Sequence, residues 1–380
     1  MSEYQYYEFQ TIDRPLTKQE VAEVRALSTR ATITPTRFVN VYHWGDFKGD
    51  PLALMKQYYD AFLYVANWGS HQLMLRLPRA VLDHETALRY AVEDGPFYVH
   101  VAGEHLILPF DSEAEDPEDS VEGEGWLATL IPRRADLAGG DLRSLYLGWL
   151  LCVQDKLLDD DLVEPPVPPG LRDLSASLHA LVEFLRIDAD LPQGAAEGSP
   201  ATLKLTPSLD EAQLWLRALS DAEKDDLLLR LACGDVHLLA EVRRRIRDSG
   251  AAEGAGAAKG PGRTVGELLI ETDRRRQERE RHEAQEHARR QQEQAAARAA
   301  YLDSLARRQE EVWRRVESLV EGKRQAEYTE AVQLLTDLRD LAARQQKAEA
   351  FGARLKDLRA HHARKTSLME RLNKGRLLPS

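Results

Sequence analysis

One short segment, residues 42–51, gathers side chains that could perform acid–base chemistry. It combines an imidazole, two carboxylates and an ammonium with two glycines that permit close backbone approach. An enzyme centred on His43, Asp46 and Asp50 would use these groups as general acid and base. Asp50 followed by Pro51 is also an ordinary helix start, with Asp as the cap and Pro in the first turn. We therefore favour a structural interpretation, because a motif without its structural context is only a hypothesis.

Metal ligation and cofactor binding have weaker support. Four histidines are candidate ligands: His71, His84, His100 and His105. Their spacing does not place them on one face of an element, and scattered histidines are usually surface or core residues. The two cysteines, Cys152 and Cys233, lie in leucine-rich helical patterns, and the acidic runs at 111–119 and 159–161 lack the ligand spacing of a calcium loop. We predict no catalytic residue, no metal site and no cofactor.

The common sequence signatures of enzymes are absent as well. The chain contains no P-loop, no dinucleotide fingerprint, no nucleophile elbow and no zinc-protease motif. Its 380 residues are 43% hydrophobic and 30% charged, which is typical of a soluble globular protein with two or three folding units. No apolar run reaches the length of a membrane span and no signal peptide opens the sequence, so we expect a cytoplasmic protein without membrane contact.

Charge and aromatic content divide the chain into regions. Residues 1–263 carry 26 Lys and Arg against 43 Asp and Glu, whereas residues 264–380 carry 25 against 20. Seventeen of the 26 aromatic residues lie in the first 110 positions. These shifts predict six segments: a mixed α/β domain (1–110), an acidic linker (111–125), a helical domain (126–248), a Gly/Ala linker (249–263), a charged helix (264–300) and a helical hairpin or repeat-like module (301–380).

The N-terminal region is predicted to be an α+β domain. Aromatic and β-branched runs indicate strands near residues 4–12, 32–42, 73–77, 98–101 and 106–108. A capping box at Thr17 and Glu20 begins one helix, and apolar spacing predicts others over 51–62 and 84–92. This alternation suggests a small sheet with helices on one face, as in a ferredoxin-like sandwich.

Helices are predicted for the rest of the chain. Leucine-rich patterns over 142–158 and 171–184, and capping boxes that begin at Ser208 and Ser220, indicate an all-α middle domain. A further capping box at Thr264 starts a long C-terminal helical arm, which has no large apolar residue between 273 and 300. Its later apolar stripes are interrupted, which favours a helical hairpin or a tetratricopeptide-like end over one uninterrupted coiled coil.

The arm supplies two sets of candidate binding residues. The first is an apolar stripe that needs a partner, either the helix over 328–342 or another chain: Leu302, Leu305, Val312, Val316 and Leu319. The second is a basic group that could contact phosphates: Arg354, Lys356, Arg359, Arg364 and Lys365. A net charge of −12 disfavours a polyanion, so nucleic-acid binding ranks second.

Several segments resemble a family of uncharacterised bacterial proteins: YQYYEF (4–9), DRPL (13–16), YHWGDFKGD (42–50), EPPVPPG (164–170) and YTEAVQLLTDLRD (328–340). The last of these, together with RAHHARK (359–365), is similar to the helical end of some bacterial proteins that carry a SWIM zinc motif. That motif needs closely spaced cysteines and a histidine, and the two cysteines here are distant, so zinc binding is not implied. The resemblance implies a bacterial cytoplasmic origin and no catalytic activity.

These observations lead to one functional prediction. We expect a non-enzymatic interaction or scaffold protein that binds a protein partner, or itself, through residues 301–380, because charged helical arms commonly act as spacers. A nucleic-acid-associated factor that uses the basic C-terminus is the alternative, and an enzyme centred on His43, Asp46 and Asp50 is less favoured.

Overall fold

A computed structural model describes residues 3–114, 122–200, 208–235, 237–250, 262–322 and 324–377. Most of the predicted Gly/Ala linker and the centre of the predicted acidic linker lie outside these residues. The chain divides into two compact units, unit 1 (Met1–Glu278) and unit 2 (Arg279–Ser380). The domain boundaries predicted from the sequence stay predictions.

Seven strands of unit 1 form one antiparallel sheet in the order β2-β3-β1-β4-β5-β7-β6. The strands are β1 Gln5–Gln10, β2 Thr32–Ile33, β3 Arg37–Tyr42, β4 Ala61–Ala66, β5 Ser70–Pro78, β6 His100–Ala102 and β7 His105–Glu113. The predicted hairpin between β6 and β7 turns at Gly103, whose φ of +60° favours glycine. This sheet confirms the α+β class, and its seven strands differ from the small ferredoxin-like sheet that the element order suggested.

Strand β4 replaces part of a predicted helix. Helical spacing through Leu54, Tyr58 and Phe62 predicted a helix over 51–62, but α2 ends at Gln57 and β4 pairs with β1 and β5. Phe62 packs in the core on one face of the sheet, while Leu63 packs in the core on the other. A strand buried on both faces has a continuous apolar sequence without the alternation typical of a strand. For this reason the spacing of its apolar residues was taken for that of a helix.

Helices cover both faces of the sheet. On one face lie α1 Lys18–Arg25 and α2 Pro51–Gln57, and α3 His84–Leu88 follows β5. The other face is covered by α4 Trp126–Leu130, α5 Pro132–Ala138, α6 Arg143–Gln154, α7 Ala176–Phe184 and α8 Asp190–Ala195. Helix α6 approaches so closely that a Cβ at Gly148 would lie 2.5 Å from the Phe97 ring. Strands and middle helices therefore share one continuous core.

Three further helices of unit 1 are α9 Leu209–Ala218, α10 Asp221–Ala232 and α11 Leu238–Gly250. Both capping boxes predicted at Ser208 and Ser220 are present and begin α9 and α10. The next helix, α12 Val265–Arg307, starts at the predicted Thr264 box, where the Thr264 hydroxyl accepts a hydrogen bond from the Glu267 amide. Its residues 277–285 and 287–297 are exposed, as the absence of an apolar seam predicted.

Unit 2 is built from the end of α12 and from α13 Gln309–Glu321, α14 Gln325–Arg344, α15 Ala348–His361 and α16 Thr366–Lys374. The two main helices, α13 and α14, pack against each other, and α15 and α16 pack against α14. Trp313, Leu335, Leu338, Leu355 and Leu368 are among the residues that form its core. The long C-terminal helix and the helices that follow it confirm the predicted helical arm.

Candidate protein interaction surface

The loop over residues 42–51 has structural contacts for each of its three candidate catalytic residues. The Asp50 carboxylate accepts a hydrogen bond from the Leu52 amide at 2.9 Å and caps α2. Asp46 accepts one from the Gln5 side-chain amide at 3.0 Å, and the exposed His43 ring lies 5.9 Å from the Tyr4 ring. Within the described residues no hydrogen bond joins these three side chains to one another. The loop is therefore organised around turn and cap contacts.

The candidate metal ligands lie on three parts of the fold: His71 in β5, His84 at the start of α3, and His100 and His105 on the β6–β7 hairpin. His71 is buried, with its Nδ1 2.7 Å from the Phe184 carbonyl oxygen and its ring stacked on Phe184. His100 and His105 lie on the β6–β7 hairpin, and burial lowers the pKa of both. In the part of the chain that the structure describes, no three His, Cys, Asp or Glu side chains are placed to hold a metal ion.

A partly buried ionic network, which the sequence did not predict, joins several elements of unit 1. The Asp13 carboxylate lies 2.6 Å from the Arg134 guanidinium and 3.1 Å from His237 Nε2. Burial alone would raise the pKa of Asp13, but hydrogen bonds from His237 and Arg134 hold it well below its usual range. Asp60 pairs with Arg76 at 2.7 Å. Because His237 immediately precedes α11, this network fixes the start of that helix.

The predicted interaction stripe of the arm is packed inside unit 2. All five of its side chains are buried in the unit's own core: Leu302, Leu305, Val312, Val316 and Leu319. They share that core with Tyr328, Ala331 and Leu335 of α14. Of the two partners that the sequence left open, the neighbouring helix of the same chain covers the stripe. An additional role in binding a partner stays a prediction.

The predicted phosphate contacts are partly engaged within unit 2. Arg354 lies 3.0 Å from Glu310 and 3.4 Å from Glu317, and its guanidinium stacks over the Trp313 ring. Arg359 donates to the Leu377 carbonyl at 2.9 Å, and the Lys365 ammonium donates to the Val320 carbonyl at 2.5 Å. Lys356 and Arg364 are exposed. Three of the five cations thus stabilise the helical unit.

The largest set of exposed apolar side chains lies on α9, α10 and α11. These helices bury only three large apolar residues among those described, Trp215, Leu238 and Ile246. Seven leucines of the same helices are exposed: Leu209, Leu214, Leu216, Leu228, Leu229, Leu231 and Leu239. In contrast, the described residues of unit 2 expose no large apolar side chain. A cluster of exposed leucines is a candidate interaction surface.

Helix α10 shows this arrangement most clearly. None of its side chains is buried, and Leu228, Leu229 and Leu231 are 62–64% exposed. An ion pair joins it to α11, where the Arg230 guanidinium lies 2.6 Å from the Glu241 carboxylate. We call Leu228, Leu229 and Leu231 the leucine face of α10. The solvent-exposed side chains of this helix therefore include these three leucines together with aspartates such as Asp221 and Asp226.

No protein-family model, no curated protein and no solved structure matches the chain. The resemblance to a family of bacterial proteins therefore stays a prediction. Among the described helices, none is both long enough and apolar enough to cross a membrane.

Proposed function

We propose that this chain is a non-enzymatic interaction protein of the bacterial cytoplasm that binds a protein partner. The observation that carries the proposal is the leucine face of α10, where three leucines more than 60% exposed lie within four residues of a helix without a buried residue. Monomeric proteins seldom leave such faces in water, and burying one leucine contributes about 1.5–3 kcal/mol. The face would supply the apolar centre of such a contact.

The C-terminal arm is the second part of the proposal. Its apolar stripe is occupied within unit 2, so a contact with a partner or with a second copy would use the charged exterior of residues 301–380. The exposed residues 277–285 and 287–297 of α12 carry ion pairs one turn apart, such as Arg279 with Glu283 at 3.2 Å. Such charged helices commonly serve as connectors between binding modules.

A protein partner is preferred over the two alternatives. Nucleic-acid binding would rely chiefly on Lys356 and Arg364, since Arg354, Arg359 and Lys365 are engaged inside unit 2. An enzyme would rely on the loop at 42–51, where Asp46 and Asp50 hold the backbone and neighbouring side chains in place. Neither alternative has an exposed feature comparable to the leucine face.

The test compares proteins recovered with three versions of the full chain from its native cells. The first is unchanged, the second carries Leu228→Gln, Leu229→Gln and Leu231→Gln, and the third carries Leu88→Gln and Leu157→Gln at exposed leucines elsewhere in unit 1. Gln keeps the helix propensity of Leu and removes its apolar surface. We expect a partner to be lost from the α10 variant and kept by the control. Equal recovery by all three versions would contradict the proposal.

A further inference from the structure

We propose that a cavity between α1 and α2 of unit 1 binds a small organic cation of the alkylammonium class. The cavity measures about 230 Å³ and is half open to solvent. This inference goes beyond the proposed function and does not depend on the leucine face. It follows from the two kinds of wall that the cavity has, from the charges around it, and from the ligand classes that those charges exclude.

Part of the cavity wall is apolar. Leu54 of α2 is 4% exposed, and Leu27, which lies just after α1, is half-buried. Both leucines pack in the core on this face of the sheet, so their positions are fixed. Ala53 also lines the cavity, and its small side chain leaves space beside the leucines. This wall can cover a short alkyl chain.

The polar part of the wall carries two carboxylates, Glu23 of α1 and Asp50 at the start of α2. The Tyr58 hydroxyl donates to the Glu23 carboxylate at 2.6 Å and thereby links the two helices. The Leu52 amide donates to Oδ1 of Asp50 at 2.9 Å, and within the described residues Oδ2 of Asp50 accepts no hydrogen bond. Both carboxylates are held in place and still have acceptor capacity for a ligand.

The cations of the surrounding elements are directed elsewhere. Four of them occur on α1, on α2 and in the loop before α2: Lys18, Arg25, Lys48 and Lys56. None of the four lines the cavity, and within the described residues none forms an ion pair with Glu23 or Asp50. Successive helical residues are 100° apart, so Lys18 and Arg25 project about 140–160° away from Glu23. Arg25 donates instead to the Ala31 carbonyl at 2.6 Å.

The pKa shifts at the cavity agree with this charge distribution. Hydrogen bonds from Tyr58 and Gln19 lower the pKa of Glu23, and the neighbouring charge that acts on it is another carboxylate, Glu20. The hydrogen bond to Glu23 raises the pKa of Tyr58 to about 12, and burial and the charges of Glu23 and Glu20 add to the rise. Glu20 is itself paired with Arg14 at 2.6 Å. The charge left for a ligand is therefore that of Glu23 and Asp50.

An alkylammonium group suits both parts of the wall. Its N–H groups can donate to the Glu23 and Asp50 carboxylates and to the side-chain amide oxygen of Gln57, while its methylene groups cover Leu27 and Leu54. An anion would be repelled, and a neutral alcohol would leave both charges without compensation. In the described part of the chain no three His, Cys, Asp or Glu side chains are placed to hold a metal ion, which favours an organic cation.

The test is a ligand-observed NMR titration of the full chain with matched small probes. The probes n-butylammonium, n-butanol and butyrate share a short alkyl chain and differ in charge. We expect n-butylammonium to bind with a Kd on the order of 1 mM or below, and both other probes to bind at least about tenfold more weakly.

A fourth probe, Nα-acetyl-lysine methylamide, identifies the source of the ammonium group. Binding as tight as that of n-butylammonium, or tighter, would assign the cavity to lysine side chains of another protein. Weaker binding would assign it to free amines, because the cavity would then exclude the peptide groups. Either result supports an alkylammonium site.

Three variants localise the binding. Glu23→Gln with Asp50→Asn removes both charges, keeps an acceptor for Tyr58 and a cap for α2, and should weaken n-butylammonium at least about tenfold. The control, Glu93→Gln with Glu183→Gln, removes two charges from exposed side chains elsewhere in unit 1 and should change the Kd less than about twofold. Ala53→Leu fills the cavity without a change of charge and should also weaken binding about tenfold. Circular dichroism of each variant verifies that its helices are intact.

Three results would overturn the inference. Equal binding of n-butylammonium and n-butanol would show that charge does not select the ligand. An equal loss in the control variant would reduce the effect to general attraction by an acidic chain, and unchanged binding to the Ala53→Leu variant would place the ligand outside the cavity. None of these results affects recovery of a partner through α10, so the two proposals can fail separately.

Discussion

The first turns of α12 belong to the core of unit 1, and a single substitution tests this. Leu268 is fully buried, and Val265 is 1% exposed in the same core. Just before them, the Arg263 guanidinium forms a bidentate ion pair with the Glu164 carboxylate at 2.7 Å. Thr264 also forms an isolated antiparallel β-bridge with Val163. Leu268→Ala should therefore destabilise unit 1, although the sequence placed this residue in a separate arm.

The magnitude follows from burial. Truncating a fully buried leucine removes its transfer free energy and leaves a cavity, so we expect a loss of about 2–5 kcal/mol in the free energy of unfolding of unit 1. Ile270, two residues later and 72% exposed, provides the control. Ile270→Ala should change stability by less than about 0.5 kcal/mol.

Native-state hydrogen exchange of the full chain measures the two units separately, because each amide reports the opening of its own surroundings. Leu268→Ala should accelerate the slowest amides of β4 and β5 about 30-fold or more and leave those of α14 unchanged. If Leu268→Ala leaves the exchange of β4 within twofold of the Ile270→Ala control, the assignment of these turns to unit 1 is wrong.

Three further predictions address unit 1 charges and the unit 2 core. Arg263→Met leaves the buried Glu164 carboxylate without its ion-pair partner and should lower the stability of unit 1 by about 3–5 kcal/mol in urea unfolding. A loss below about 1 kcal/mol would contradict this. Burial raises the pKa of Asp111 to about 6, so the folded state binds more protons than the unfolded state between about pH 4 and pH 6, and stability falls as pH rises through that window. Asp111→Asn should then raise the free energy of unfolding by about 1–3 kcal/mol at pH 7 and leave it unchanged at pH 4, as measured by urea unfolding. An equal increase at both pH values would contradict the raised pKa of Asp111. Leu305→Glu with Val316→Glu should abolish slow exchange in α14 while β4 stays protected, and retained protection in α14 would show that the stripe is not core.

Local signals in the sequence predicted helix starts well. The capping boxes at Thr17, Ser208, Ser220 and Thr264 each begin a helix in the structure, because the cap depends on side chains only three residues apart. The helix over 51–62 was predicted too long, because β4 is decided by pairing with β5 and with β1, and β1 is distant in sequence.

The candidate surface was not predictable from leucine spacing. Leu228 and Leu335 both occur in amphipathic helical patterns, yet Leu228 is 62% exposed and Leu335 is fully buried. Burial depends on whether another helix arrives on that face, and α10 is instead joined to α11 through the ion pair of Arg230 and Glu241. The Asp13 network was missed for a similar reason, since Arg134 and His237 are both more than 100 residues from Asp13 in sequence.

Hydrogen–deuterium exchange of the full chain, with and without the partner recovered from its native cells, tests directly whether α10 is the docking surface. We expect partner binding to slow exchange in α10 Asp221–Ala232, including the amides of the leucine face, and to leave the β4–β5 hairpin unchanged. Protection confined to unit 2 or to the loop at 42–51, with α10 exchanging as in the free chain, would contradict the leucine face as the docking surface.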